Sequence, residues 1–203
     1  MRNKITYGLS KCAFAPITEE AEDGTLTYGE VIKMPGATEL SLDIEGDTNT
    51  IYADDGPWDS ETANNGYSGS VKFKTLPDEF YTEILGETKD KNGVYVENAN
   101  AKLKKLALMF QFKGDKNETR YVFYKCTVKR PSVASKTKED KIEANDFEIS
   151  IKADPRMSDG NVKAKCFSDS DAYATFFDKV YEPVAASSGS STSSSSGSET
   201  SGS

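Results

Sequence analysis

Apolar and polar residues alternate with period two along much of this chain. Leu40, Leu42 and Ile44 alternate with Glu39, Ser41 and Asp43; Val71 and Phe73 with Ser70, Lys72 and Lys74; Phe147, Ile149 and Ile151 with Glu148, Ser150 and Lys152. Successive side chains of a strand point to opposite faces, so each run predicts a strand with one buried and one solvated face. Leu106 to Phe112 and Tyr121 to Val128 are apolar on both faces, as central strands covered on both sides would be. GDKNETR between them has the Gly, Asp and Asn of a hairpin turn. Shorter candidates are Ile5 to Phe14, Leu26 to Ile32, Val94 to Val96 and Val162 to Cys166, with Asp23-Gly24, Asn92-Gly93 and Asp159-Gly160 as turn dipeptides beside them. So many short strands with turns between them predict a mainly β fold, an antiparallel β-sandwich or barrel.

Two segments depart from that rhythm. In PDEFYTEILG, Pro77 suits a first helical position and Asp78 and Glu79 favour the positive end of the helix dipole. Phe80 and Ile84 fall at i and i+4, and Gly86 suits the exit, which predicts one short flanking α-helix that plugs a sheet face or barrel end. In SDSDAYATFFDKVY, Tyr173, Phe176, Phe177 and Val180 repeat at i, i+3, i+4 and i+7 behind Ser and Asp residues able to cap, predicting a second helix.

The connection between two of the strands is the most informative stretch. Gly46 to Gly66, GDTNTIYADDGPWDSETANNG, is too long and too polar for an ordinary hairpin connection. Connections in compact domains usually run about 4 to 6 residues, and structureless loops beyond about 12 to 15 are functional or disordered. Disorder selects against aromatic and β-branched residues, yet this stretch holds Ile51, Tyr52, Pro57 and Trp58, the only tryptophan. An extended arm that orders against another copy of the chain accounts for both properties. Its subunit-interface candidates are Ile51, Tyr52, Asp54, Asp55, Trp58 and Asn64, with Trp and Tyr as favoured anchors.

Ser187 to Ser203, SSGSSTSSSSGSETSGS, offers nothing to bury against the entropy of ordering, so residues 1–186 are read as one domain and 187–203 as a disordered tail. The chain carries 33 acidic and 25 basic residues, a formal net charge of −8. That balance argues against a protein that grips nucleic acid through its phosphates, though not against one that lets DNA pass. No apolar run exceeds LALMF, which argues against a membrane span, and MRNKITYGLSK lacks the apolar region of a signal peptide, so the chain is expected in the cytosol at synthesis. Cys12, Cys126 and Cys166 show no CxxC spacing and read as reduced, buried thiols.

Candidate chemistry is sparse. With no histidine in the chain, Ser-His and Cys-His pairs, HExxH zinc sites and facial-triad iron sites are excluded together. Phosphate-cradling, dinucleotide, nucleophile-elbow and calcium-loop motifs are absent too, so no catalytic residue, cofactor or metal is assigned. The pairs Glu19-Glu20 and Asp54-Asp55 could bind a hard cation, but neither has the multi-ligand spacing such sites need, and solvated loop charge is the simpler reading. Lys129-Arg130 beside KTKEDK reads as a solvated turn because Glu139 and Asp140 lie within it.

Several segments carry a family resemblance: NKITYGLSKCAFA, GTLTYGEVIKMPGATELSLDIEGDTNTIYADD, ANNGYSGSVKF, LPDEFYTEILGE, LALMFQFKGDKNETRYVFYKCTVKRPSV and ISIKADPRMSDGNVKAK. They resemble, in order, the major tail (tube) proteins of long-tailed phages, specifically the phi13 type. The resemblance implies a β-barrel or sandwich flanked by a helix, with six copies forming a ring and rings stacking into the virion's tail tube. It also implies contacts with other phage tail proteins, assembly in the bacterial host cytoplasm, and a lumen that DNA traverses without specific binding. The alternative left open by the residues is a monomeric β-sandwich binding module for cell-surface glycans on a Ser-rich tether.

Overall fold

The computed structural model describes residues 8–46, 48–53, 56–114, 117–132 and 146–184. Thirteen strands are found among them: β1 Leu9–Glu20, β2 Leu26–Tyr28, β3 Ile32–Lys33, β4 Ala37–Glu45, β5 Thr48–Ala53, β6 Gly56–Thr62, β7 Gly66–Phe73, β8 Thr88–Lys89, β9 Tyr95–Val96, β10 Leu106–Phe112, β11 Arg120–Val128, β12 Phe147–Ala153 and β13 Lys163–Cys166. All their pairings are antiparallel. The main sheet runs β2-β1-β10-β11-β12-β7-β4, with β3 added to β1 and β13 to β11.

This sheet closes on itself through one short stretch of chain. β3 pairs with β1 at Ala13↔Lys33 and Phe14↔Ile32. The Met34 N–H then donates to the Cys12 carbonyl at 2.8 Å, and two residues on, the Gly36 carbonyl accepts from the Lys74 N–H at 2.9 Å. The chain passes directly into β4, which pairs with β7 from Ala37↔Phe73 to Glu45↔Gly66. The segment is therefore bonded to β1 near one end of the strand order and to the end of β7 near the other, which closes the sheet into a barrel.

Period two then sorts side chains to the two faces of the wall. Phe14, Phe73, Leu106, Leu108, Ile149 and Ile151 fill the interior. Ala13, Ala15, Ala107, Met109, Val122 and Tyr124 point outward from β1, β10 and β11 into a second cluster, which Phe176 and Val180 cover. The both-faces-apolar reading of β10 and β11 holds for this reason: the barrel packs inside them and the C-terminal segment outside. Cys12, Cys126 and Cys166 are all buried free thiols, and burial pushes Cys12 and Cys126 up to about 12.

The first expected helix is present as a plug. Phe80 and Ile84 are buried in the interior cluster, and Phe80 meets Phe14 edge-on with ring centroids 5.5 Å apart. Its geometry is a π-type turn, Phe80–Ile84, rather than a regular α-helix: the Leu85 N–H reaches the Phe80 carbonyl, one residue further than α-helical bonding. Gly86, at φ +70°, ends it.

The second expected helix is corrected. Only Asp171–Tyr173 is helical, as a 3-10 turn, and the segment continues through i→i+3 bonds such as Asp178 N–H to the Thr175 carbonyl. Ser170 makes no side-chain cap bond, and the Arg120 guanidinium takes the Tyr173 carbonyl. The apolar spacing of this segment records burial, with Phe176 and Val180 buried, and not helix. Two strand readings also change. Leu26 to Ile32 splits into β2 and β3, each pairing with a different part of β1. Ile44 and Phe147, expected on buried faces, are 69% and 38% exposed: β4 ends the strand order, so Ile44 has a neighbouring strand on one side only, and β11 pairs with β12 only at Ile151–Ala153, beyond Phe147.

Candidate assembly surface

The β4–β7 ladder reaches its end at Glu45↔Gly66, and the connection between these strands is itself a β-hairpin. β5 and β6 pair from Thr48↔Thr62 to Ala53↔Gly56 and form a sheet of their own, separate from the barrel. The sequence reading expected an extended loop and missed these two strands. The available signal was Asp54-Asp55-Gly56 as a turn between polar stretches able to pair. At roughly 3.3 Å per residue, the six residues of β5 make an arm about 20 Å long.

Glycine is required at both ends of the arm. A Cβ on Gly46 would lie 1.9 Å from the Ala63 carbonyl oxygen, and one on Gly66, at φ +110°, would lie 2.0 Å from that of Ala153. The root is closed by the Asn65 N–H donating to the Glu45 carbonyl at 2.8 Å. The exposed Asn64 turns the chain there, its Oδ1 accepting from the Gly66 N–H at 3.2 Å. Of the other interface candidates, Ile51 and Tyr52 belong to β5 and Trp58 to β6, while Asp54 and Asp55 lie outside the described residues.

At the same root, Ile44 is an isoleucine 69% exposed, paired across the ladder with Tyr67. A large aliphatic is thus left uncovered where the arm departs, although the alternation pattern assigns it to the core.

The outward face of β4, β7 and β12 is polar. Glu39, Lys72 and Glu148 lie in register across the three strands, as do Ser41, Ser70 and Ser150, and then Asp43, Ser68 and Lys152. Its lysines are matched by carboxylates: Lys72 pairs with Glu39 at 2.7 Å, and Lys152 with Asp154 at 3.2 Å and Glu45 at 3.5 Å. Asp43 and Glu148 remain as surplus negative charge.

Two of the charged residues weighed as possible chemistry, Glu20 and Arg130, hold the fold together. Glu20 is not solvated loop charge. It lies on β1 and bridges Lys125 at 2.5 Å and Lys105 at 2.7 Å, and hydrogen bonds from Lys105 and Lys125 hold its carboxyl below the usual range. Arg130 pairs with Glu97 at 3.2 Å, and the KTKEDK run lies outside the described residues. Arg156, its side chain 5% exposed, ties Asp159 and Glu182 together while its guanidinium lies 4.2 Å from the Tyr124 ring centre. This anchors the C-terminal segment to the barrel. Among the described residues no cluster of three metal-ligating side chains occurs.

Compared with known families, the chain matches a profile described as phage tail tube protein over residues 1–185. No curated protein matches it.

Proposed function

We propose that this chain, which belongs to the phage tail tube protein family, is the repeating wall subunit of a tail tube. It is a structural protein of a phage tail. In this reading six copies close into a ring, and rings stack into a conduit through which DNA leaves the capsid without specific binding. Copies are made in the bacterial host cytoplasm and assemble there with other tail proteins. The segments that carried the resemblance favour the phi13 type. The protein acts as wall material and not as a catalyst.

The observation that supports this best is the arm. A closed barrel has no need of a separate hairpin about 20 Å long with Trp58 and Tyr52 on its strands and Ile44 uncovered at its root. A neighbouring subunit gives Ile44 a partner and the hairpin a surface to lie on, and symmetry repeats that contact at every copy. The polar, net-negative face of β4, β7 and β12 suits a lumenal wall, because surplus carboxylate repels phosphate and prevents sticking.

The test replaces residues 48–64 by a short Gly-Ser link and follows light scattering and thermal unfolding on one sample. The expected product is a folded, soluble monomer that no longer polymerises. Polymerisation like that of the parent would remove the arm from the interface, and unfolding would assign it to the subunit's own core.

A further inference from the structure

If the arm is a plug, some surface of the next copy must be its socket. A groove of about 630 Å³ opens beside the β1 bulge, between the β3–β4 junction and the segment around Phe177. Leu9, Val31, Met34 and Phe177 give it an apolar lining. Three cations also line it, Lys11, Lys33 and Arg120, against one carboxylate, Asp178. In a chain of net charge −8 this is an unusual concentration of positive charge.

The cations are placed there at a cost. Lys11 sits at φ +50°, a strained conformation for a side-chain-bearing residue, where the β1–β10 register shifts between Ser10 and Ala13. Arg120 is only 9% exposed. Its Nε–H donates to the Gln111 Oε1 at 3.2 Å, its Nη1 donates to the Tyr173 carbonyl, and its guanidinium carbon lies 3.9 Å from the Tyr173 ring centre. Among the described residues no carboxylate forms an ion pair with Arg120, Lys11 or Lys33. A buried cation without a counter-charge is destabilising, and an arriving carboxylate would relieve it.

The arm has the matching composition. Residues 48–62, TNTIYADDGPWDSET, contain Asp54, Asp55, Asp59 and Glu61 and no Lys or Arg, with Tyr52 and Trp58 for an apolar groove. The two ends of the sequence fit worse: MRNKITY carries Arg2 and Lys4 with no acid, and residues 187–203 have no apolar residue. Position agrees with composition. The groove is lined by Gly36 and Ala37 at the start of β4, whereas the arm leaves after Glu45 at its end, roughly 27 Å away at 3.3 Å per residue. Donor and acceptor at opposite ends of one strand suit a head-to-tail contact, which propagates from copy to copy.

We propose that the acidic arm of one subunit docks in the basic groove bounded by Lys11, Lys33 and Arg120 of the next. This rests on the tube-subunit reading and names the receiving surface that reading lacks.

The experiment reverses charge on each side, at the exposed Lys11 and Lys33 of the groove and at Asp54 and Asp55 of the arm, and measures the critical concentration for polymerisation in the full chain, with thermal unfolding as the control for folding. Lys11→Glu with Lys33→Glu, and separately Asp54→Lys with Asp55→Lys, should each raise it by roughly tenfold or more while leaving the melting temperature near the parent's. All four substitutions in one chain should restore most of the loss. If the groove pair polymerises like the parent while the arm pair does not, the arm docks elsewhere and the inference is overturned, with the tube reading intact. Failure of the combined variant to recover also overturns it. Failure of the tube reading looks different: the unmodified chain stays monomeric at every concentration, and the docking inference falls with it.

Discussion

Replacing Ile44 by serine should separate assembly from folding. Complete burial of an isoleucine side chain is worth about 1.5–3 kcal/mol. With 69% of Ile44 still exposed in the subunit, about 1–2 kcal/mol of that remains to be gained when a neighbour covers it. The part already buried contributes under about 1 kcal/mol, a change of roughly 2–4 °C in melting temperature for a domain of this size. Ile44→Ser should therefore melt within a few degrees of the parent while its critical concentration for polymerisation rises about 5- to 30-fold. Sedimentation after polymerisation over a dilution series gives that concentration, and circular dichroism gives the melt. Met157→Ser, at a position 75% exposed in the turn beside Gly24, is the control that should change neither. The reasoning is refuted if Ile44→Ser polymerises at the parent's concentration, or if it costs so much stability that Ile44 must belong to the core.

Other consequences concern the barrel and the tail. Phe80→Ala removes a plug 1% exposed and packed edge-on against Phe14, so it should cost about 3–5 kcal/mol in chemical denaturation; a loss under about 1 kcal/mol would mean that the turn does not plug the interior. Glu20 has a folded-state pKa below its ordinary 4.5, so the stability it adds is present above that value and is lost as pH falls through the depressed one. Glu20→Gln should accordingly be less stable than the parent at pH 7 and converge with it in acid; a gap that widens as pH falls would reverse the assigned sign. Deleting Ser187 to Ser203, a stretch of Ser, Gly, Thr and one Glu, should leave both melting and polymerisation unchanged, and lost polymerisation would show that the tail takes part in assembly.

What the sequence could express was whatever local pattern controls. Leu106 to Phe112 reads correctly to the residue because both of its faces are buried, and Val71 and Phe73 read correctly because β7 lies between β12 and β4. Phe80 and Ile84 announce a plug, although the spacing could not distinguish a π-type turn from an α-helix. The failures occur where distant chain decides. Tyr173, Phe176, Phe177 and Val180 have helical spacing, but Arg120, far away in sequence, takes the Tyr173 carbonyl and the segment stays in short turns. Ile44 alternates correctly with its neighbours; the place of β4 at the end of the strand order leaves it uncovered. The arm was legible as an anomaly of length and composition, whereas its hairpin pairing depends on a register that alternation alone does not reveal. The groove cations were not legible at all, since Lys11, Lys33 and Arg120 come together only through the bulge in β1 and the barrel closure.

Electron microscopy of the purified full-length protein across a concentration series tests the tube-subunit account most directly. The account predicts rings of six that stack into hollow tubes, with end-on views showing an open bore. A protein that remains a monomer at every concentration, or that forms only solid aggregates without a bore, would contradict it.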